Sequence, residues 1–336
     1  YGRLTGKAGV CLATLGPGAS NLVTGVADAN MDRAPVVALT GQASLDRMHK
    51  ESHQYMDVVG MFEPISKWTT MLRHPMAVAE SVRKAFKVAE EESPGVTHID
   101  FPEDLAHQAS PVTEVPLIPE VAFTPPQASD ACIKSAAELI NKAKSPIILC
   151  GNGVIRGNAS GALRSFVERT NMHVAETFMG KGCVPYTDKH SLLTIGLQAH
   201  DFVSSAFDVA DLVVTVGFDM VEYHPYLWNP NRKAKVVHVA RTSAEIDKHY
   251  PVVQELIGDI GSSLERMAEY VKPRADVARM DAIRDNIMTE LSRLDDDEGF
   301  RINAIFGETP NKGFDSFEDA AIEILELDPQ LRKLEV

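Results

Sequence analysis

Residues 12–42, LATLGPGASNLVTGVADANMDRAPVVALTGQ, constrain this chain more than any other stretch. A short apolar run ends at Ala13-Thr14-Leu15. Gly16-Pro17-Gly18 then forces a sharp turn, because glycine admits positive φ and proline fixes the bend. Ser20 or Asn21 is placed to cap a helix in which Leu22, Val23, Val26, Ala27 and Asn30 fall near helical spacing. Arg33-Ala34-Pro35 ends that helix. Val36 to Thr40 is an all-apolar run closed by Gly41-Gln42, of the kind parallel sheets bury. The unit is strand–helix–strand, with its turn residues at the carboxyl end of the first strand. Open α/β sheets place ligands there. On spacing alone, the G-P-G turn serves equally as a tight connection in any α/β protein.

The same rhythm continues. Residues 75–92 carry an amphipathic helical stripe of Ala77, Val78, Val82, Ala85, Phe86 and Ala89. Ser93-Pro94-Gly95 turns the chain into a strand at 96–101. Residues 110–127 hold Pro111, Pro116, Pro119, Pro125 and Pro126 with little periodicity, which reads as a linker. Beyond it, Ser129 or Asp130 caps a helix over 131–143. Strands come next at 146–150, 173–176, 211–216 and 236–239, with a short last one at 257–260 and helices between. The expected fold class is α/β, two doubly wound parallel-sheet domains at 1–109 and 129–272 joined by the 110–128 linker. A helix over 275–294 and a tail with one more at 316–327 complete the chain.

The net charge of −14 argues against nucleic acid or an anionic membrane as partner, since both attract a basic surface. No apolar run reaches the roughly 18–20 residues of a membrane span, and no signal peptide is visible, so the expected location is cytoplasmic. Cys11, Cys132, Cys150 and Cys183 are scattered, without CxxC or another metal-ligand spacing. They read as reduced, mostly buried thiols, and no metal site is expected. The chain starts with Tyr1 inside what reads as a helix end, so it is expected to be a piece of a longer protein.

The whole 12–42 string resembles the pyrimidine-binding domain of thiamine-diphosphate enzymes of the acetolactate synthase and pyruvate oxidase group. That group shows GPGxxN, then a GxA(D/N)A helix and a P(V/L)(V/L)xxxG(Q) strand. Glu63 to Trp68 (EPISKW) and the strand VTHIDF fit it too. GNG, ETFMGKG, ADLVVTVG, VVHV and IGDI occur in the order of the family's central domain. The segment VEYHPYLWNP at 221–230 and His53-Gln54 look like the catabolic, flavin-independent branch. The resemblance ends near Arg293. It includes no counterpart of the third, diphosphate-binding domain and none of the family's activating glutamate, which lies upstream of Tyr1.

This resemblance implies thiamine diphosphate and Mg²⁺ as cofactors of the parent enzyme, pyruvate as substrate and 2-acetolactate plus CO₂ as products. It also implies a homodimer or homotetramer, since domains of two chains face each other across the cofactor. Gly16, Pro17, Gly18 and Asn21 are expected against the pyrimidine end, with a plain helix cap as the other reading of Asn21. Gln42 either faces ligand or closes a turn. His53 and Gln54 are the expected catalytic side chains, unless 43–54 is a polar surface loop. Lys67 pairs with an acid or is solvated. Glu176 is a site acid or a structural hydrogen-bond acceptor. His238-Val239-Ala240 where the family's flavin proteins carry HID argues against bound FAD, and Tyr223 and Trp228 then read as packing residues. The isolated chain is expected to be inactive. The alternatives are a non-catalytic paralogue that binds partners, or a related enzyme acting on another 2-keto acid or an acyl-CoA.

Overall fold

The computed structural model describes residues 1–108, 124–196 and 202–296, so the expected helix at 316–327 and most of the linker lie outside the described residues. Among the described residues, ten strands form two sheets. The first contains β1 (Gly9–Ala13), β2 (Val36–Gln42), β3 (Trp68–Met71) and β4 (Val96–Pro102) in the order β1-β2-β4-β3. The second contains β5 (Pro146–Cys150), β6 (Val174–Glu176), β7 (Ser191–Thr194), β8 (Leu212–Val216), β9 (Lys235–Ala240) and β10 (Val252–Ile257) in the order β10-β9-β8-β5-β6-β7. Every strand pair is parallel. In the second sheet the chain runs outward from β5 to β7, then returns to the other side of β5. The topological switch point therefore lies between β5 and β8, as the strand–helix rhythm requires.

The first sheet is covered on both faces, and the period-2 alternation of its strands says by what. Odd positions Val37 and Ile99 pack with Ala85 and Ala89 of the Val78–Glu90 helix. Even positions Ala38 and Val96 pack with Ala19, Val26, Val58 and Phe62 from the helices before β2 and before β3. The second sheet buries a larger core in which Ile148, Val214 and Val237 meet Ile140, Leu163, Phe166 and Leu264 from the surrounding helices.

Three expected boundaries move. The helix after the G-P-G turn starts at Pro17, the first-turn position proline favours, and runs as Pro17–Asn21 and Val23–Met31. Leu22, not Ser20 or Asn21, joins the two, and the Ser20 hydroxyl donates to the Pro17 carbonyl at 3.0 Å. The helix expected from 75 begins as a 3₁₀ turn, Pro75–Ala77, capped by the His74 imidazole. The last strand is β10, not 257–260. Asp259 accepts from the Ser262 amide at 2.7 Å and caps the Ile260–Met267 helix, so the chain has already turned there. The short strands β3 and β7 went unread, being four residues each and rich in hydroxyl side chains.

Both sheets lie in one compact unit, residues 1–277; the Ala278–Asp296 helix belongs to a second unit. Among the described residues, part-buried ion pairs join the domains at two places. Arg33 grips Asp219 through two nitrogens, at 2.6 and 3.3 Å. Glu92 takes Arg156 at 2.6 Å and faces Arg241 at 3.8 Å. Lys67 is exposed and makes no ion pair with an acid: its ammonium donates to the Val88 and Glu91 carbonyls at 2.5 and 2.8 Å, closing the carboxyl end of a helix. No described helix is long and apolar enough to cross a membrane.

Because the Arg33 fork is bidentate and largely shielded, its coupling to Asp219 should exceed that of a surface pair. A double-mutant cycle with Arg33→Ala and Asp219→Ala in urea unfolding is expected to give a coupling of about 1–3 kcal/mol. Additive losses would show that the contact does not tie the domains.

Candidate functional site

The even face of β2 and β4 changes character along its length. It is apolar at the amino end and polar at the carboxyl end, where Thr40, Gln42, His98 and Asp100 succeed Ala38 and Val96. Parallel pairing sets Ala38 beside His98 and Thr40 beside Asp100. All four polar residues are buried. The Thr40 hydroxyl donates to Asp100 Oδ1 at 2.6 Å and lies 2.8 Å from His98 Nε2. The other ring nitrogen, Nδ1, is 2.7 Å from the Thr69 hydroxyl on β3. One proton arrangement satisfies every group: Thr69 O–H to Nδ1, Nε2–H to Thr40, Thr40 O–H to Asp100. It requires a neutral imidazole protonated on Nε2.

Burial agrees, pushing His98 down to about 4. Burial pushes the Asp100 carboxyl up, while the hydrogen bonds from Thr40 and Gln42 pull it back. The Phe62 ring stacks on His98 with centroids 4.0 Å apart.

Gln42 carries this network to the loop beyond β2. Its amide nitrogen donates to Asp100 Oδ2 at 2.9 Å and to the Met56 carbonyl at 3.0 Å, and its oxygen accepts from the Ala43 amide at 2.9 Å. Gln42, expected either to face ligand or to close a turn, thus has its side chain engaged inside the protein, where it holds the 52–57 loop in place. Beside it lies a cavity of about 600 Å³ whose lining includes Gln42, Met56, Thr69, Arg73, His74 and Asp100.

The G-P-G turn meets that loop from the other side. Gly16 is buried with φ of 58°, and a Cβ there would lie 2.4 Å from the Gln54 carbonyl oxygen. A Cβ on Gly18 would meet Thr14 Cγ2 at 2.5 Å. The close approach these glycines permit is therefore made by the chain itself. Gln54 has φ of 61°, a left-handed conformation in which its backbone sits under Gly16. His53 and Gln54 are exposed, as are Pro17 and Asn21. Asn21 caps neither neighbouring helix. The structure thus joins Gly16, Gln42 and the backbone of Gln54, and leaves the His53, Gln54 and Asn21 side chains facing outward. Asp100, His98, Thr40 and Thr69 were not singled out from the sequence. The signal was present, since His and Asp alternate with apolar residues in VTHIDF.

The switch point of the second sheet is filled differently. The 151–153 turn packs directly on Gly217, whose φ is 58°; a Cβ on Gly153 would lie 2.7 Å from the Gly217 Cα. Both Glu222 carboxylate oxygens accept from the Asn152 amide at 3.1 Å, and Thr177 donates its hydroxyl to the same group. Burial pushes Glu222 up to about 7. Glu176 accepts from the Gly182 and Val184 amides at 3.2 and 2.7 Å and so fixes the turn after β6. Trp228 packs among Phe207, Phe218 and Tyr250 with centroids about 6 Å away, and Tyr223 is buried.

Comparison with known proteins agrees with this two-domain geometry. Residues 1–61 match the family described as thiamine pyrophosphate enzyme, N-terminal TPP binding domain. Residues 133–267 match thiamine pyrophosphate enzyme, central domain. The chain is similar to the acetolactate synthase large subunit of Parasynechococcus marenigrum, 35% identical over 295 residues, 86% of this chain and 48% of that protein. The acetolactate synthase of Bacillus subtilis is 34% identical over 267 residues, 79% of this chain and 46% of its own. The catabolic acetolactate synthase of Raoultella terrigena is 34% identical over 276 residues, 81% of this chain and 48% of its own. The chain thus spans about half the length of the relatives it matches.

The buried imidazole gives the first domain a pH signature. With His98 at about 4 in the folded chain and near 6.5 when unfolded, the unfolded chain takes up a proton first on acidification. The contribution is complete above pH 6.5 and is lost as pH falls toward 4, at most about 3 kcal/mol. Asp100, pushed the other way, stabilises on acidification and masks part of this slope. The difference between wild type and His98→Asn isolates the imidazole. Urea unfolding should show the variant clearly less stable at pH 7, with the gap narrowing by pH 4.5. A gap independent of pH would mean that His98 is not held neutral.

Proposed function

We propose that this chain, whose two sheets are the N-terminal and central domains of the thiamine diphosphate enzymes, forms the pyrimidine- and substrate-facing part of an acetolactate synthase-like enzyme. The reaction joins two pyruvates, with loss of CO₂, to give 2-acetolactate. The observation that carries the reading is the likeness to acetolactate synthases across both domains, at 34–35% identity. The site geometry supports it, because exposed His53 and Gln54 stand on a loop pinned from both sides by Gly16 and Gln42.

Thiamine diphosphate with Mg²⁺ supplies the decarboxylation chemistry when bound. The residues present fit its pyrimidine end: Asn21 offers an exposed, uncommitted amide with both donor and acceptor, beside a turn that its own glycines make rigid. They do not fit its diphosphate and metal end. The one cluster of three metal-ligating side chains among the described residues contains two thiols, the wrong donors for Mg²⁺. In this reading His53 is the proton-transferring group, Gln54 hydrogen-bonds the keto acid's carboxylate, and Gln42 and Asp100 act as positioning residues behind them. Two or four copies assemble so that another domain completes the site. The enzyme works without flavin. The anion-accepting amide at the second sheet's switch point is already taken by Glu222, and Tyr223 and Trp228 are packed in the core.

Residues 1–336 alone are expected to produce no acetolactate from pyruvate with added thiamine diphosphate and Mg²⁺. The complete natural protein that contains them is expected to produce it. There, Gln54→Ala should lower kcat/KM for pyruvate roughly 10–100-fold, about 1.4–3 kcal/mol of transition-state stabilisation, while cofactor affinity stays unchanged. A complete protein that binds the cofactor but leaves pyruvate untouched would overturn the substrate. One that binds neither would favour a non-catalytic, partner-binding role.

A further inference from the structure

The fold gathers two of the four cysteines that the sequence scatters. Cys150 closes β5, and Glu176 closes β6 directly beside it in register, so both side chains leave the same face of the second sheet. The turn after β6 then returns Cys183 to the pair. All three are buried, and their ligand atoms lie within 4.8 Å of one another. We propose that Cys150, Glu176 and Cys183 bind one borderline-soft divalent metal ion of the Zn²⁺ class, in the interior of the second domain and independent of any thiamine chemistry.

Donor type favours that class of ion. Two sulfurs and one carboxylate oxygen select Zn²⁺ or a similar d-block cation over Mg²⁺ or Ca²⁺, which prefer all-oxygen sets. Distance allows it. Zinc bonds of about 2.3 Å to sulfur and about 2.1 Å to oxygen place tetrahedral ligand atoms roughly 3.5–3.8 Å apart, so the cluster, whose ligand atoms lie within 4.8 Å, needs to contract by at most about 1.3 Å.

The surroundings are prepared for it. The Gly182 and Val184 amides orient the Glu176 carboxylate and leave lone pairs on both oxygens, the outer-shell arrangement that metal-ligating carboxylates use. The turn carrying Cys183 is fixed by the Thr177 amide on the Cys150 carbonyl at 2.9 Å and by Arg164 on the Cys183 carbonyl at 2.8 Å. A Cβ on Gly180 would meet the Cys150 carbonyl oxygen at 2.7 Å, so the turn lies directly on β5.

The test is Co²⁺ titration of the purified protein, made metal-free under reductant. One equivalent per chain is expected to bind, with thiolate-to-cobalt charge-transfer absorption in the near ultraviolet that Zn²⁺ displaces. Cys183→Ser should abolish the band. Glu176→Gln, which keeps an acceptor for the Val184 amide, should weaken Co²⁺ binding at least tenfold. Cys132→Ser, outside the cluster, should change neither. Circular dichroism and the wild-type titration keep the proposal falsifiable if Cys183→Ser fails to fold. Folded wild-type protein without a thiolate–cobalt band would overturn it, as would a band that survives Cys183→Ser. Recovery of Cys150 and Cys183 as a disulfide that binds no Co²⁺ after reduction would do the same.

Discussion

A neutral histidine holds the first domain's carboxyl edge together. His98 has no solvent contact to exchange for protein contact, so both ring nitrogens need partners on the sheet. Thr69 and Thr40 supply them, one from each neighbouring strand. Thr40 passes the polarity to Asp100, and Asp100 passes it to Gln42. The chain of bonds crosses β3, β4 and β2 and leaves the sheet through Gln42, at the Met56 carbonyl and the Ala43 amide. Each link uses a group whose burial would otherwise cost roughly 1–3 kcal/mol. Removing one member therefore strands the next, and the loop carrying His53 and Gln54 loses its anchor. The exposed side chains are placed by a largely buried network.

The glycines of the G-P-G turn work in the same direction. They make room for the chain rather than for a ligand. Gly16 admits the Gln54 backbone and Gly18 admits Thr14, so turn and loop lock against each other. A strand-to-helix turn that holds a second loop in this way is rigid without bound ligand, which lowers the ordering cost of binding one.

The fold was legible in the sequence because it rests on long apolar runs with turn residues at their carboxyl ends, as in 36–40, 146–150 and 211–216. β3 and β7 were not legible, since WTTM and SLLT lack that apolar length and are strands only because a longer strand lies beside each. The site was legible in part. GPG and His-Gln stand out as local strings, while the partners of Gln42 depend on register. Asp100 is 58 positions away from Gln42 in the chain, and nothing local in either residue announces the other. The Cys150–Glu176–Cys183 group was invisible for the same reason: ligand spacing in sequence reveals sites built on one turn or one helix, not sites assembled by adjacent parallel strands.

The two sheets solve one problem in opposite ways. Each ends at a carboxyl edge, and each places a buried acid there with its carboxyl pKa pushed upward, Asp100 in the first and Glu222 in the second. Asp100 takes its hydrogen bonds from side chains of its own sheet and borders a cavity of about 600 Å³. Glu222 reaches across from the loop after β8 and takes the Asn152 amide at the head of a helix, where an incoming anion would bind. The same loop carries Asp219, which grips Arg33 of the first domain. One loop therefore both fills the second crevice and supplies one of the ion pairs that dock the two domains. A change that withdrew Glu222 from the Asn152 amide would therefore act on the loop that also holds the Arg33 contact, whereas the polar network at the first sheet's edge has no part in that domain seam.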